Sequence, residues 1–369
     1  MPITSRANTI LLVLILAVGV GILAMLATGA RGGPLDPPGP VASTQTNVIY
    51  QPASCAGFPI VLSAAGSYRL GSNITGCNAK DGIQITASRV SLDLGGFSVI
   101  GVPGSLDGIR NVGGNGNQNV SNGAIGLWAG DGLDLQDSIT SRVHNVISTF
   151  NGGRGIVLGG TSALDQSTAS ANGAGGILSI ATNVTISDCK ADYNTGYGIR
   201  VSGGGAVVDT CSVGGNTAGG INVGNIARIV SNHAISNTGQ GIHTGHSCYI
   251  ENNSSSWNTG DGYFVTNPGN CTVVNNKATA NGGAGFVAGG AGSAIDGIGG
   301  YTLVDSNHAS GNGSYGFDIR LANPGFPNIV TRNFASANLP NNYIFGANND
   351  MGPIVTAGAA VNPMSNISQ

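Results

Sequence analysis

Charge is what this sequence has least of. Only 8% of its 369 residues are Asp, Glu, Lys or Arg, against about a quarter in an ordinary globular domain. The 14 Lys and Arg do not cluster and the net charge is -3, so the basic footprint of a nucleic-acid binder is missing. Aromatic residues make up 5%, too few for a core built on large rings. The single Glu, Glu251, leaves no evident pair of carboxylates for a glycosidase. No window holds a long apolar pattern of period 3.6, and Gly is too dense for helices. Disorder is excluded from the other side, because 41% hydrophobic residues with so little net charge is not the composition of an unfolded chain.

One long apolar run is present, the 18 residues Ile10 to Ala27. Arg6 precedes it and Thr28-Gly29-Ala30 follows as a small-residue cleavage site. Its length falls between the ~7–15 residues of a cleaved signal and the ~20 of a spanning helix. Residues 1–30 therefore read as a signal peptide or membrane anchor, and either places the body outside the cytoplasm, secreted or at the cell surface. Membrane contact is expected through this segment alone. The stretch Gly32 to Pro40 is Pro-rich, and residues 31–54 read as a linker.

What the chain has in abundance is Gly, 63 residues of it, and much of it recurs in register. A Gly-aliphatic or Gly-aromatic pair stands at Gly82-Ile83, Gly108-Ile109, Gly132-Leu133, Gly155-Ile156, Gly176-Ile177 and Gly198-Ile199. It returns at Gly220-Ile221, Gly241-Ile242, Gly262-Tyr263, Gly285-Phe286 and Gly316-Phe317. Repetition at intervals mostly of 21 to 26 residues is the mark of a solenoid. Within each repeat apolar residues alternate, as in Val184 to Ala191 and Arg228 to Ile235, which is the period of a strand. A leucine-rich scaffold is missing, and the spacing is no multiple of six. The expectation is an all-β, right-handed parallel β-helix of about eleven coils, with three short strands per turn.

Asn recurs with the same metre. Asn151, Asn172, Asn194, Asn216, Asn237, Asn258, Asn281, Asn312 and Asn338 each begin a turn, and the positive φ of such corners is expected on Asn or Gly. Five residues earlier the column reads Val146, Ser167, Cys189, Cys211, Asn232, Asn253, Asn276, Asn307 and Asn333. Five successive Asn predict an inward ladder whose amides bond rung to rung. Three residues before the turn Asn the column is mostly Ala, small enough for a narrow interior.

With these repeats the chain resembles the right-handed parallel β-helix proteins of the pectin-lyase-like fold, in particular exported bacterial ones with parallel β-helix repeats. Phe58 to Gly76 is similar to their opening segment, and Asn341 to Ser368 to their C-terminal cap. The resemblance implies a helix body over residues 55–340, a cap over 341–369, and substrates lying along a groove on one parallel sheet. It carries over no catalytic set. The Trp-x-Asp-His of pectate lyases and the polygalacturonase motifs have no counterpart. Tyr315-Gly316-Phe317-Asp318 is similar to an alginate epimerase segment, but Ile319-Arg320 follows where a Pro-His pair is expected.

The six Cys pair off by spacing. Cys55 and Cys77, Cys189 and Cys211, and Cys248 and Cys271 lie 22, 22 and 23 residues apart, one turn each, so three rung-to-rung disulfides are expected. Buried free thiols acting as small ladder residues are the competing reading.

Two outward clusters are candidate sites. Asp107, Arg110, Asp131 and Asp134 fall on adjacent rungs, with Asp81 one rung earlier. Stacked carboxylates must be solvated, paired with Arg, or bridged by a hard cation such as Ca²⁺. Asp107, Asp131 and Asp134 are therefore the candidate metal ligands, and Arg110, Asp131 and Asp134 the candidate catalytic groups by analogy with superfamily lyases. Ordinary turn chemistry and cross-strand pairing account for the same residues more simply. Tyr197, Arg200, Asn222, Gln240 and His243 form the second cluster, a strip of donors with an aromatic face suited to a sugar. Together these features read as a monomeric secreted or cell-surface scaffold that binds polysaccharide or envelope glycan and lacks an evident catalytic motif. A lyase or epimerase on acidic glycans, and an adhesin-like rod with an apolar patch around Trp257 and Phe264, are the alternatives.

Overall fold

The computed structural model describes residues 46–266, 269–288, 301–319, 327–347, 349–357 and 362–369. Residues 1–30, read above as a signal peptide or anchor, residues 31–45 of the linker, and Arg320 lie outside the described residues. Residues 46–369 form one unit, a right-handed parallel β-helix of about twelve turns. It contains a short 3-10 turn at Cys55–Gly57 and no α-helix among the described residues.

The strands that carry the Gly-aliphatic pairs stack into a 13-stranded parallel sheet, the front sheet, from Ile60–Leu62 to Tyr343–Phe345. Its first and last strands lack the Gly signature, which is why the sequence pattern counts fewer coils. The other two faces of each coil join in a continuous 26-stranded network. Asn119–Gly126 and Arg142–Thr149 run unbroken through the corner between them. Asn47–Ile49, within the stretch read as linker, pairs with Tyr68–Leu70.

Rung-on-rung packing explains the glycines. A Cβ on Gly176 would sit 2.5 Å from the carbonyl oxygen of Gly198, and one on Gly220 would sit 2.4 Å from that of Gly241. The residue after each Gly points inward and stacks on its counterpart. Ile83 through Ile242 form an aliphatic column, all at most 1% exposed. It continues as an aromatic stack, with ring centroids 4.6 Å apart for Tyr263–Phe286, 4.9 Å for Phe286–Phe317 and 5.1 Å for Phe317–Tyr343. Phe317 of the epimerase-like segment is thus a core residue.

The expected Asn ladder is present, and a second runs beside it. In the first, Asn232 Nδ2 donates to Asn253 Oδ1 at 3.0 Å and Asn253 Nδ2 to Asn276 Oδ1 at 3.0 Å, continuing through Asn307 and Asn333 to Asn366. The turn Asn residues form the second, from Asn151 to Asn338, each 6% exposed or less. The positive φ expected on these residues falls instead on the residue before, as at Phe150 (58°), Tyr193 (56°) and Trp257 (58°). That placement follows from geometry: one left-handed residue makes the corner, and the next returns to extended backbone with its side chain inward.

Of the three expected disulfides, one forms. Cys55 and Cys77 are bonded, with Cα atoms 5.7 Å apart, while Cys189, Cys211, Cys248 and Cys271 are buried free thiols. The ladder gives the reason. Asn232 Nδ2 donates to Val230 O at 2.9 Å and to Val208 O at 2.8 Å, one rung back. Cys211 Sγ faces the equivalent pair, Asp209 O at 3.2 Å and Ile186 O at 3.7 Å, and Cys189 faces Ser187 O and Leu164 O. These thiols occupy Asn positions and donate as the amides do. In the other pair Cys248 N–H donates to Cys271 Sγ at 3.3 Å.

Candidate functional site

The outward residues of the front sheet are in register, rung by rung. Gln84, Arg110 and Asp134 align, then Val157, Leu178, Arg200, Asn222, His243, Phe264, Val287 and Asp318. A second outward column, three residues upstream, includes Asp81, Asp107, Asp131, Arg154, Gly175, Tyr197 and Gly219.

The acidic cluster is assembled as expected but is internally committed. Asp107 N–H donates to Asp81 Oδ1 at 3.0 Å, Asp131 N–H to Asp107 Oδ1 at 2.8 Å, and Arg154 N–H to Asp131 Oδ1. The same bond recurs where Ala284 N–H donates to Asp261 Oδ1 at 2.7 Å, so these Asp residues cap the backbone of the next rung. Arg110 lies 3.9 Å from both Asp107 and Asp134, and Arg154 lies 3.6 Å from Asp131. Among the described residues no group of three or more His, Cys, Asp or Glu side chains is arranged to hold a metal ion. The reason is local: one oxygen of Asp107, Asp131 and Asp134 takes a backbone N–H, and the other faces a guanidinium. Burial pushes Asp107 up to about 6, reinforced by the charges of Asp131, Asp81 and Asp134. Burial also raises Asp134, against the pull of Arg110.

Beyond this cluster the sheet opens into a groove of about 400 Å³, lined by Arg154, Gly175, Leu178, Tyr197, Arg200 and Ser202, among others. It exists because a side chain is missing. Gly175 stands between Arg154 and Tyr197 in the upstream column. The Tyr197 ring leans away over Gly219, where an added Cβ would meet its Cε1 at 2.9 Å. The Arg200 guanidinium lies 5.8 Å from the Tyr197 ring centroid, in cation–π range. Two guanidinium groups, an aromatic ring and an open floor thus face one recess, an arrangement chemically suited to an anionic, hydroxyl-rich ligand. Arg154 escaped the sequence reading, although its place in the Asp107–Asp131 column was visible there.

The remaining members of the second cluster form a separate network. Asn222 Nδ2 lies 3.1 Å from His243 Nδ1, and His243 Nε2 lies 2.6 Å from Thr266 Oγ1. Phe264 meets the imidazole edge-on, with centroids 5.1 Å apart. Burial holds His243 below the usual histidine range. Gln240 is half-buried on the same rung as His243. Thr266 was not singled out from sequence, since nothing in the repeat marks it. The apolar patch of the adhesin alternative is not continuous: Trp257 is 65% exposed at its corner, but Ser236 and Ala280 hold the equivalent corners on either side. Among the described residues no helix is long and apolar enough to cross a membrane.

A family model for a right handed beta helix region matches residues 168–297. Among solved structures, the A-module of the mannuronan C-5 epimerase AlgE6 of Azotobacter vinelandii is similar with a TM-score of 0.63. It is 16% identical, and the match covers 83% of this chain and 91% of that one. The AlgE4 A-module from the same organism gives a TM-score of 0.53 at 14% identity, covering 88% and 91%. ORF18 of Geobacillus virus E2 gives 0.50 at 11%, covering 73% and 54%. Among curated proteins none matches. At these identities the likeness is one of fold. By repeat and sheet topology the fold is a right-handed parallel β-helix, and the family model matches its central part.

Proposed function

We propose that this chain is an exported scaffold that binds an acidic polysaccharide along the front sheet. The observation that carries the reading is the groove over Gly175, where Arg154, Tyr197 and Arg200 converge on one open floor. Arg200, beside an Arg154 that is shared with Asp131, favours carboxylate or sulfate groups by charge and forked geometry, and Tyr197 offers a ring face to a sugar. The structural neighbours, whose names state that they act on mannuronan, support a uronate polymer as the ligand. The apolar N-terminal run supports export. A lyase or epimerase would draw on Arg110, Asp131 and Asp134, which are already held in ion pairs and backbone bonds; binding is therefore the better-supported reading.

The test is calorimetric titration of the chain with mannuronan oligomers and with a neutral glucan. Saturable binding of mannuronan alone, weakened by salt, is expected, with Arg200→Ala costing about tenfold or more in affinity. Equal binding of the neutral glucan, or no binding of either, overturns the reading.

A further inference from the structure

The network beside the groove has the parts of a nucleophilic site. A hydroxyl, an imidazole and an amide stand in sequence, with Thr266 Oγ1 at 2.6 Å from His243 Nε2 and Asn222 at 3.1 Å from His243 Nδ1. A nucleophile within hydrogen-bond reach of a base, itself oriented by a third group, is the general signature of covalent acyl transfer. The register of the solenoid produces it: Asn222, His243 and Phe264 follow one another on successive rungs, and Thr266 lies two residues past Phe264. His243 is kept neutral by burial, the form a general base requires.

The Asn222 amide decides the direction of the hydrogen bonds. Its oxygen and nitrogen fill equivalent space, and a half-turn about its last torsion exchanges them. With Oδ1 toward His243, Nδ1 carries the ring proton, Nε2 carries the lone pair, and the Thr266 hydroxyl donates to Nε2. Phe264 closes one side of the imidazole edge-on, and Val287 follows it on the next rung. Arg200 stands one rung before Asn222 on the same face.

We propose that Thr266, His243 and Asn222 form an acyl-transfer site that removes O-acyl groups from the glycan held in the adjacent groove. The choice of glycan rests on the binding reading above; the chemistry does not. Thr266 Oγ1 attacks the ester carbonyl as its proton passes to His243 Nε2. The C–O bond to the sugar then breaks, and the sugar oxygen takes that proton. Water next attacks the acyl-threonine, giving its proton to His243, and the carboxylic acid leaves as Thr266 recovers its hydrogen. Thr266 and His243 are the catalytic residues and Asn222 a positioning residue.

The experiment follows hydrolysis of p-nitrophenyl acetate and of O-acetylated mannuronan by the whole chain, with mass spectrometry of the quenched protein. Turnover above buffer and a single acetyl group on the Thr266 peptide are expected. Thr266→Val should lower the rate by about a hundredfold or more, with Thr266→Ser restoring turnover. Asn222→Leu should lose activity, and Asn222→Asp, which can only accept from Nδ1, should regain it; a merely structural amide would not be rescued in this way. Wild-type rates equal to buffer, rates unchanged in Thr266→Val, or failure of the Asp rescue overturn the proposal. Mannuronan binding without ester cleavage sinks this inference alone, whereas cleavage of the nitrophenyl ester without mannuronan binding sinks only the glycan reading.

Discussion

Ile199 and Arg200 are neighbours on one strand, yet the columns they belong to differ in kind. Inward, Ile83, Ile109, Leu133, Ile156, Ile177, Ile199, Ile221 and Ile242 repeat nearly one residue type, all at most 1% exposed. Outward, the aligned residues run Gln84, Arg110, Asp134, Val157, Leu178, Arg200, Asn222 and His243, and no type occurs twice in succession. The inward column must satisfy the rung before and the rung after, so a change at one level is felt at three. The outward column is mostly part-exposed, with Val157 as the buried exception, and its cross-strand neighbours constrain it only weakly. The fold is carried by the repeating columns, and the recognition proposed above by the irregular one.

The largest effect should come from breaking the interior. Asn216 accepts from Asn194 N–H and Nδ2, and donates to Ala191 O and Asn237 Oδ1. Asn216→Ala removes all four bonds and leaves buried partners unpaired, a loss of about 3–5 kcal/mol in denaturant unfolding. A loss below ~1 kcal/mol would mean the ladder is decorative. The first coils have no Asn ladder; it begins at Trp128, whose N–H donates to Asn151 Oδ1 and whose Nε1 donates to Val99 O. There the Cys55–Cys77 bond, closing a loop of 22 residues, stands in. Its reduction should cost about 3 kcal/mol, while the four buried thiols resist alkylation until the chain unfolds. Alkylation of those thiols in the folded protein would contradict their burial inside the coils.

Glycine substitutions sharpen the comparison further. Gly220→Ala forces a Cβ to within 2.4 Å of Gly241 O and 2.9 Å of Asn237 Nδ2, and should cost about 2 kcal/mol by thermal melting. Gly175 belongs to the outward column, so Gly175→Leu should leave the melt nearly unchanged and fill the groove instead, lowering mannuronan affinity. The smallest effect concerns Asp107. Its carboxyl is pushed up to about 6 from an ordinary 3.8, so between those values the folded chain holds more protons than the unfolded one. Its contribution is therefore favourable below pH ~4 and is lost as pH rises through 6. Asp107→Asn keeps an acceptor for Asp131 N–H and should flatten that dependence, with a gain of about 1 kcal/mol at neutral pH after solvent screening.

Much of the fold was legible because stacking writes the same residue at the same interval. The Gly-Ile pairs, the Asn column at Asn232 to Asn333 and the small Ala column could each be read by counting. The left-handed corners at Tyr193 and Trp257 could not, since no local preference favours a bulky residue there; the inward pull on the following Asn decides it. The thiols Cys189 and Cys211 have the spacing of a disulfide, but their surroundings are those of ladder donors, which spacing does not distinguish. The candidate site was half legible. Tyr197 and Arg200 stood out by type, whereas the groove depends on Gly175, one Gly among 63, and on Arg154, which interrupts a column of Asp. Thr266 lies past the end of its strand, where the repeat ceases to predict direction.

The most direct test of the division between inward and outward columns is the mannuronan-induced shift in Tm, measured side by side for wild type, Asn216→Ala and Arg200→Ala. The expected result is a lowered Tm with an intact shift for Asn216→Ala, and an intact Tm with a lost shift for Arg200→Ala. Equal loss of both quantities in the two variants would contradict the separation of fold from recognition.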